Sequence, residues 1–298
     1  MLVDMFRPTA IGTLLPAVAL CAWGQTPAPP GHLVDVGGYR VHVNCTGAGS
    51  ASVAILGAGF SFDWALVQPE VAKFARVCTY DVSGTAWSDP GPKLDCRGRV
   101  REARNAMQAA QLAPPYILVG LSIGACVARL YAAWHPSEVA GMVIVDHAFL
   151  PKPDSTASEP AGHFAGLDSP PVLLEKTPIE ITLEDSSRFT NLPPWARQLH
   201  RWAMSLHPRM PSVEDAEDCL AQLRNAPPLG DTPLVVISTA NETPGYAELQ
   251  SELLALSRRS SQMTAERSFH AVEIDQPDIV VAAIRRVVAT ISTPGKGK

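Results

Sequence analysis

Residues 116–134 change their periodicity at a single serine. Tyr116 to Val119 is a short apolar run of β-branched and aromatic character, which predicts a buried strand. From Ala125 onward Val127, Leu130, Tyr131 and Trp134 recur at three- and four-residue steps, and Pro136 closes the pattern, which predicts a helix. Between the two stands Gly120-Leu121-Ser122-Ile123-Gly124. A chain passing so abruptly from strand to helix holds the serine on a strained turn. The glycines two residues to either side let the two backbones approach where a Cβ would clash. Serine in G-x-S-x-G at such a junction is the arrangement that presents a nucleophile.

Its placement between this strand and this helix resembles the nucleophile elbow of the α/β-hydrolase family. The similarity runs from about Val34 to Val288. It implies a mostly parallel eight-stranded sheet with helices on both faces and a helical cap inserted after strand six. The local patterns fit that order. Leu33–Val43, alternating around Gly37-Gly38, reads as a hairpin. Further strands are expected at Val53–Leu56, Arg76–Asp81, Val139–Val145, Pro233–Ser238 and Gln262–Thr264. Helices are expected at Asp63–Phe74, Gly98–Leu112, Tyr246–Leu256 and, after Pro277-Asp278, through Ile279–Val287. Residues 33–149 and 230–291 then form the core, 150–229 the cap with helices at Pro194–Met204 and Val213–Asn225, and 292–298 a tail. The two tryptophans of the first cap helix would suit an apolar substrate.

A serine hydroxyl is a poor nucleophile at neutral pH. It needs a base within hydrogen-bond reach, and the base needs a carboxylate to hold its tautomer. The family's chain order, Ser then acid then His, makes His270 the base, on the loop before the last helix. His135 and His147 read as structural. Two carboxylates compete for the remaining place. Glu242 follows strand seven, where the family usually carries its acid. Asp146 ends strand six, where some lipases and the related dehalogenases carry theirs, and it is the expected acid with Glu242 its alternate.

The resemblance further implies two backbone donors for a developing oxyanion. They are the amide of Phe60, in the loop after strand three, and that of Ile123, next to the serine. The sequence departs from the family pattern at Leu121, in place of a frequent histidine, and at Ala86 and Ala125, in place of glycines. With serine at the elbow, chemistry that depends on an aspartate nucleophile is disfavoured. A small-molecule carboxylic ester, hydrolysed through an acyl-enzyme, is the substrate class implied. Peptidase, amidase, lactonase and carbon–carbon hydrolase chemistry use the same parts. A non-catalytic ligand-binding protein of the same fold is the alternative from outside enzymology.

Composition bounds the rest. The chain has 298 residues, 46% hydrophobic and 18% charged, enough for one large α/β domain with an insertion. Its net charge of −5 and the lack of a basic run argue against nucleic acid as a partner. The apolar stretch from Ala10 to Trp23, 14 residues long, is too short to span a bilayer comfortably. With Arg7 before it and Ala22-Trp23-Gly24 after, it reads as a signal peptide cleaved near Gly24, followed by a Pro-rich spacer over residues 25–32. A secreted or periplasmic location follows, with lipid attachment at Cys21 the competing use of the leader. Beyond it, Cys78 and Cys126 read as buried apolar residues, and Cys45, Cys96 and Cys219 as disulfide candidates whose pairing stays open. No spacing of His, Cys, Asp or Glu suggests a metal, and no cofactor is expected.

Overall fold

Successive residues of the central strands face opposite layers of helices. The computed structural model describes residues 26–57, 59–147, 189–209, 211–240, 246–268 and 270–292. Its strands are β1 (His32–Asp35), β2 (Arg40–Thr46), β3 (Ser52–Leu56), β4 (Arg76–Tyr80), β5 (Tyr116–Leu121), β6 (Val139–Val145), β7 (Leu234–Thr239) and β8 (Ser260–Ala265). They form one eight-stranded sheet in the order β1-β2-β4-β3-β5-β6-β7-β8. β1 and β2 form an antiparallel hairpin, and β2 is antiparallel to β4; from β4 across to β8 every pairing is parallel. Gly37 and Gly38 turn the hairpin at φ 119° and 100°, a region open to glycine, while Asp35 Oδ1 accepts the Gly37 amide.

Among the described residues the α-helices are α1 (Gln68–Val71), α2 (Cys96–Ala109), α3 (Ile123–Trp134), α4 (Pro194–Ser205), α5 (Val213–Leu223), α6 (Tyr246–Leu254), α7 (Val272–Asp275) and α8 (Pro277–Ser292). On one face Ala54, Leu56, Leu118, Met142, Ile144 and Val236 pack with apolar residues of α2 and α3. On the other, Val53, Ile55, Ile117, Val143 and Ile237 pack with Val71 of α1 and with Val280 and Ile284 of α8. Burial on both faces explains why the inner strands read as unbroken apolar runs rather than as alternation.

Four expectations are corrected. The helix expected over Asp63–Phe74 is interrupted: a 3₁₀ turn covers Ser61–Trp64 and α1 only Gln68–Val71. Pro69 has no amide to carry a helix on from the preceding turn, and it sits in the first turn of α1, where none is needed. The short α7, directly after His270, carries too few residues for a periodicity and was not expected. Cys78 is not merely a buried apolar residue. It bonds to Cys45, its register partner across β2 and β4, with Cα atoms 4.1 Å apart. Cys96 of α2 bonds to Cys219 of α5, leaving Cys126 a buried free thiol.

Finally, the described part of the segment expected to be a cap divides in two. α5 is fastened to α2 by the second disulfide and contributes Cys219 and Leu223 to the main core, so it packs as part of the core. α4 instead lies over the loops at the C-terminal edge of the sheet. Its Ala203 packs with Phe60, Phe62 and Trp87, and its Ala196 with Ile274 of α7.

Candidate active site

Ser122 stands between β5 and α3 at φ 55° and ψ −124°, a conformation in which a non-glycine residue is strained. The surroundings hold it there. Its amide donates to the Val145 carbonyl of β6 at 3.3 Å, and its own carbonyl accepts the Ala125 amide at 2.9 Å. A Cβ added at Gly124 would lie 1.7 Å from the Leu56 carbonyl oxygen, and one at Gly120 would lie 2.5 Å from that of Gly124. Both positions are therefore closed to any larger residue unless β3, β5 and α3 move apart.

The residue after Ser122's hydrogen-bond partner, just past the end of β6, is Asp146. The register Leu121↔Val145 sets Ser122 and Asp146 side by side at the ends of neighbouring parallel strands. Asp146 is buried, with φ 39°, and its amide donates to the Ile237 carbonyl of β7. Oδ2 of its carboxylate lies 2.6 Å from His270 Nδ1. A carboxylate only accepts, so Nδ1 carries the proton of this bond and, in the neutral ring, Nε2 is left as an acceptor. The His270 side chain is 49% exposed and that of Asp146 only 5%, so a ring at the surface is anchored from beneath. Among the described residues no hydrogen bond joins Ser122 Oγ to His270. Glu242, the alternate acid, lies outside the described residues.

Two groups missed at the sequence level complete the carboxylate's surroundings. The Tyr246 hydroxyl donates to Asp146 Oδ1 at 2.5 Å and Thr239 Oγ1 donates to the same oxygen at 3.1 Å. Burial, reinforced by the adjacent Asp146 carboxylate, raises the Tyr246 pKa, so its hydroxyl stays a donor. Thr239 was in principle legible: it ends β7, and β7 pairs with β6 in parallel register.

The oxyanion donors fare differently. Ile123 opens α3, where a first-turn amide has no acceptor within the helix. The Phe60 amide is engaged inside its own turn, donating to Asp63 Oδ2 at 2.9 Å. The 3₁₀ turn that begins at Ser61 brings the Asp63 carboxylate back over this amide, which corrects the expectation that Phe60 offers a free donor. Asp63 Oδ1 pairs with Nδ1 of His200 on α4 at 2.8 Å, and the His200 ring meets Phe60 edge-on. The loop after β3 is thus tied to α4 through one buried carboxylate.

Below this surface Glu273 of α7 is buried, and its Oε2 has no hydrogen-bond partner. Burial, with Asp63, Asp275 and Asp146 nearby, pushes its carboxyl up to about 8, so it is largely uncharged at neutral pH. His147, next to Asp146, is fully buried with its Nε2 3.8 Å from Cys126 Sγ.

Comparisons with known proteins agree with this architecture. A family model described as alpha/beta hydrolase fold matches residues 46–169. The uncharacterized protein YqjL of Bacillus subtilis (strain 168) is 26% identical over 247 residues, covering 79% of this chain and 83% of its own. Among solved structures, the meta-cleavage product hydrolase of Pseudomonas fluorescens IP01 superposes with a TM-score of 0.65 at 18% identity, covering 87% of this chain and 98% of that one. A thermophilic esterase from Thermogutta terrifontis gives 0.61 at 18%, covering 86% and 95%. A Bacillus megaterium epoxide hydrolase gives 0.63 at 15%, covering 87% and 100%. Its sheet order, its strand-to-helix elbow and these likenesses give the chain the α/β-hydrolase fold.

Proposed function

We propose that the chain is a serine hydrolase acting on carboxylic esters through an acyl-enzyme, with Ser122, His270 and Asp146 as its working unit. The observation that carries this reading is the 2.6 Å bond between Asp146 and His270, made beside the strained serine at the C-terminal edge of the sheet. In this reading Ser122 Oγ attacks the ester carbonyl and His270 Nε2 takes its proton. The same nitrogen returns the proton to the departing alcohol. Asp146 keeps Nδ1 protonated and stabilises the imidazolium formed in between. The Ile123 amide donates to the oxygen on which negative charge develops. Water, deprotonated in turn by His270, then releases the acid. The Ser–His hydrogen bond forms once substrate closes the site, as such bonds often tighten only in the complex.

Serine at the elbow supports acyl transfer over chemistry that needs an aspartate nucleophile. Two disulfides, Cys45–Cys78 and Cys96–Cys219, support export to an oxidising compartment. No described helix is long and apolar enough to cross a membrane.

Hydrolysis of a p-nitrophenyl ester series tests the reading. Turnover by the wild type and its loss in Ser122→Ala, by about a thousandfold or more, is the expected result. Turnover that survives Ser122→Ala would assign the chemistry elsewhere.

A further inference from the structure

Beside the loop that follows β3 lies a small, largely enclosed cavity of about 20 Å³, lined by Gly57, Phe60, Thr85, Arg99 and Arg209 among others. One of its lining residues, Gly57, packs against the elbow: a Cβ added at Gly124 would come within 3.4 Å of the Gly57 carbonyl carbon. The volume admits one water or one oxygen of a larger group. Two guanidiniums meet there. Arg99 Nη2 reaches Asp215 Oδ2 at 3.4 Å, and Arg209 Nη2 reaches Asp215 Oδ1 at 3.1 Å. The Arg99 side chain is only 10% exposed, and its Nε has no hydrogen-bond partner.

A buried guanidinium donor without a partner is costly, because the group has lost its water without replacing it. The position of Arg99 is nonetheless built rather than accidental. It lies one turn along α2 from Cys96, and Asp215 lies one turn along α5 from Cys219, so the disulfide between those helices fixes the spacing of the pair. The acids facing the guanidiniums are Asp215 and, one turn further along α2, Glu102. Glu102 is already bonded to the Ser83 amide and the Tyr39 hydroxyl, so its two oxygens are engaged away from the cavity. Asp215 is then the one acid, among the described residues, that pairs directly with both guanidiniums. Arg209, half exposed at the rim, gives the cavity a second cation on its open side.

We infer that Arg99 and Arg209 form a carboxylate-recognising subsite beside the elbow, so that the preferred substrates are esters whose acyl part carries a free carboxylate, that is, half-esters of dicarboxylic acids. The inference rests on the hydrolase reading above. One carboxylate oxygen occupies the cavity against Arg99 Nε and the other faces Arg209, a geometry guanidinium groups suit better than an ammonium does.

The test compares p-nitrophenyl hemisuccinate with its neutral methyl ester on purified wild type, Arg209→Gln and Arg99→Lys. The quantity read is the ratio of kcat/KM for the two substrates, which cancels any general loss of activity or folded fraction. The wild type is expected to favour the half-ester, and each substitution to lower the ratio by about tenfold or more, the worth of a charge-assisted hydrogen bond. A ratio that neither substitution moves overturns the subsite. If wild type hydrolyses neither compound, the hydrolase reading fails, and a second readout then decides the subsite by itself. Monomethyl succinate at millimolar concentration should raise the Tm of wild type and not that of Arg209→Gln, while equal shifts, or none in wild type, would leave only an ordered water in the cavity.

Discussion

Tyr246 donates its hydroxyl proton to Asp146 Oδ1, on the side of the carboxylate opposite the oxygen that takes His270. The same hydroxyl oxygen accepts the Thr239 amide at 2.9 Å. One phenol therefore completes the strand end beneath the acid and fixes the carboxylate's rotation.

Replacing Tyr246 with Phe removes both roles and leaves a buried amide unpaired. The expected cost is about 1–3 kcal/mol of stability. In the hydrolase reading a fall in kcat accompanies it, with KM less affected, because the carboxylate is freer to turn away from the imidazole. Denaturant unfolding and ester kinetics on the same variant check the two together. A variant that unfolds earlier but keeps full kcat would make Tyr246 structural only.

The identity of the acid is separable by two single substitutions. Asp146→Ala should lower kcat by about four orders of magnitude, as loss of the tautomer-holding carboxylate does in serine proteases. Glu242→Ala should change it by no more than a few-fold. The reverse pattern in steady-state kinetics would transfer the role to Glu242.

Glu273 makes a prediction about stability against pH. Its carboxyl titrates near 8 in the folded chain, against an ordinary 4.5. Between those values the folded state holds a proton that the unfolded state has released. Its contribution is therefore whole below about pH 4.5, declines as pH rises towards 8 and is lost above it. Glu273→Gln removes this dependence. The Tm of the variant relative to wild type should rise steadily from pH 5 to pH 8, by an amount corresponding to a few kcal/mol at most. Parallel Tm curves across that range would show the carboxyl already ionised or solvated in the fold.

The cysteines predict a labelling pattern. Burial pushes the Cys126 thiol up to about 12, so it is neither exposed nor ionised in the folded chain. Iodoacetamide should leave it untouched until denaturant is added without reductant. The Cys96–Cys219 bridge spans 123 residues, and the double serine variant should lose about 2–5 kcal/mol of stability. Peptide mapping and thermal melts check each in turn.

Much of this architecture is legible in the residues, for physical reasons that differ by element. β5 and α3 announce themselves because their periodicities change at a glycine-flanked serine. The inner strands do so because burial on both faces demands apolar runs. What escapes is whatever depends on pairing between distant segments. Cys78 sits in a strand with nothing local to mark its partner, since the antiparallel placement of β4 beside β2 is what brings Cys45 opposite it. Tyr246 and Thr239 flank a stretch of sequence with no motif, and only the β6–β7 register sets them around Asp146. The engagement of the Phe60 amide by Asp63 depends on a tight turn where a longer helix was expected. α5, polar enough to read as cap, is held in the core by a disulfide whose pairing no local pattern marks.

The hydrolase reading stands on the activation of Ser122 by a histidine held on Asp146. Reaction of folded protein with a fluorophosphonate, followed by mass spectrometry, tests it most directly. One adduct is expected, on Ser122, formed at a rate that collapses in His270→Ala and in Asp146→Ala while both variants remain folded. An adduct on another residue, or labelling of Ser122 at an undiminished rate without His270, would contradict it.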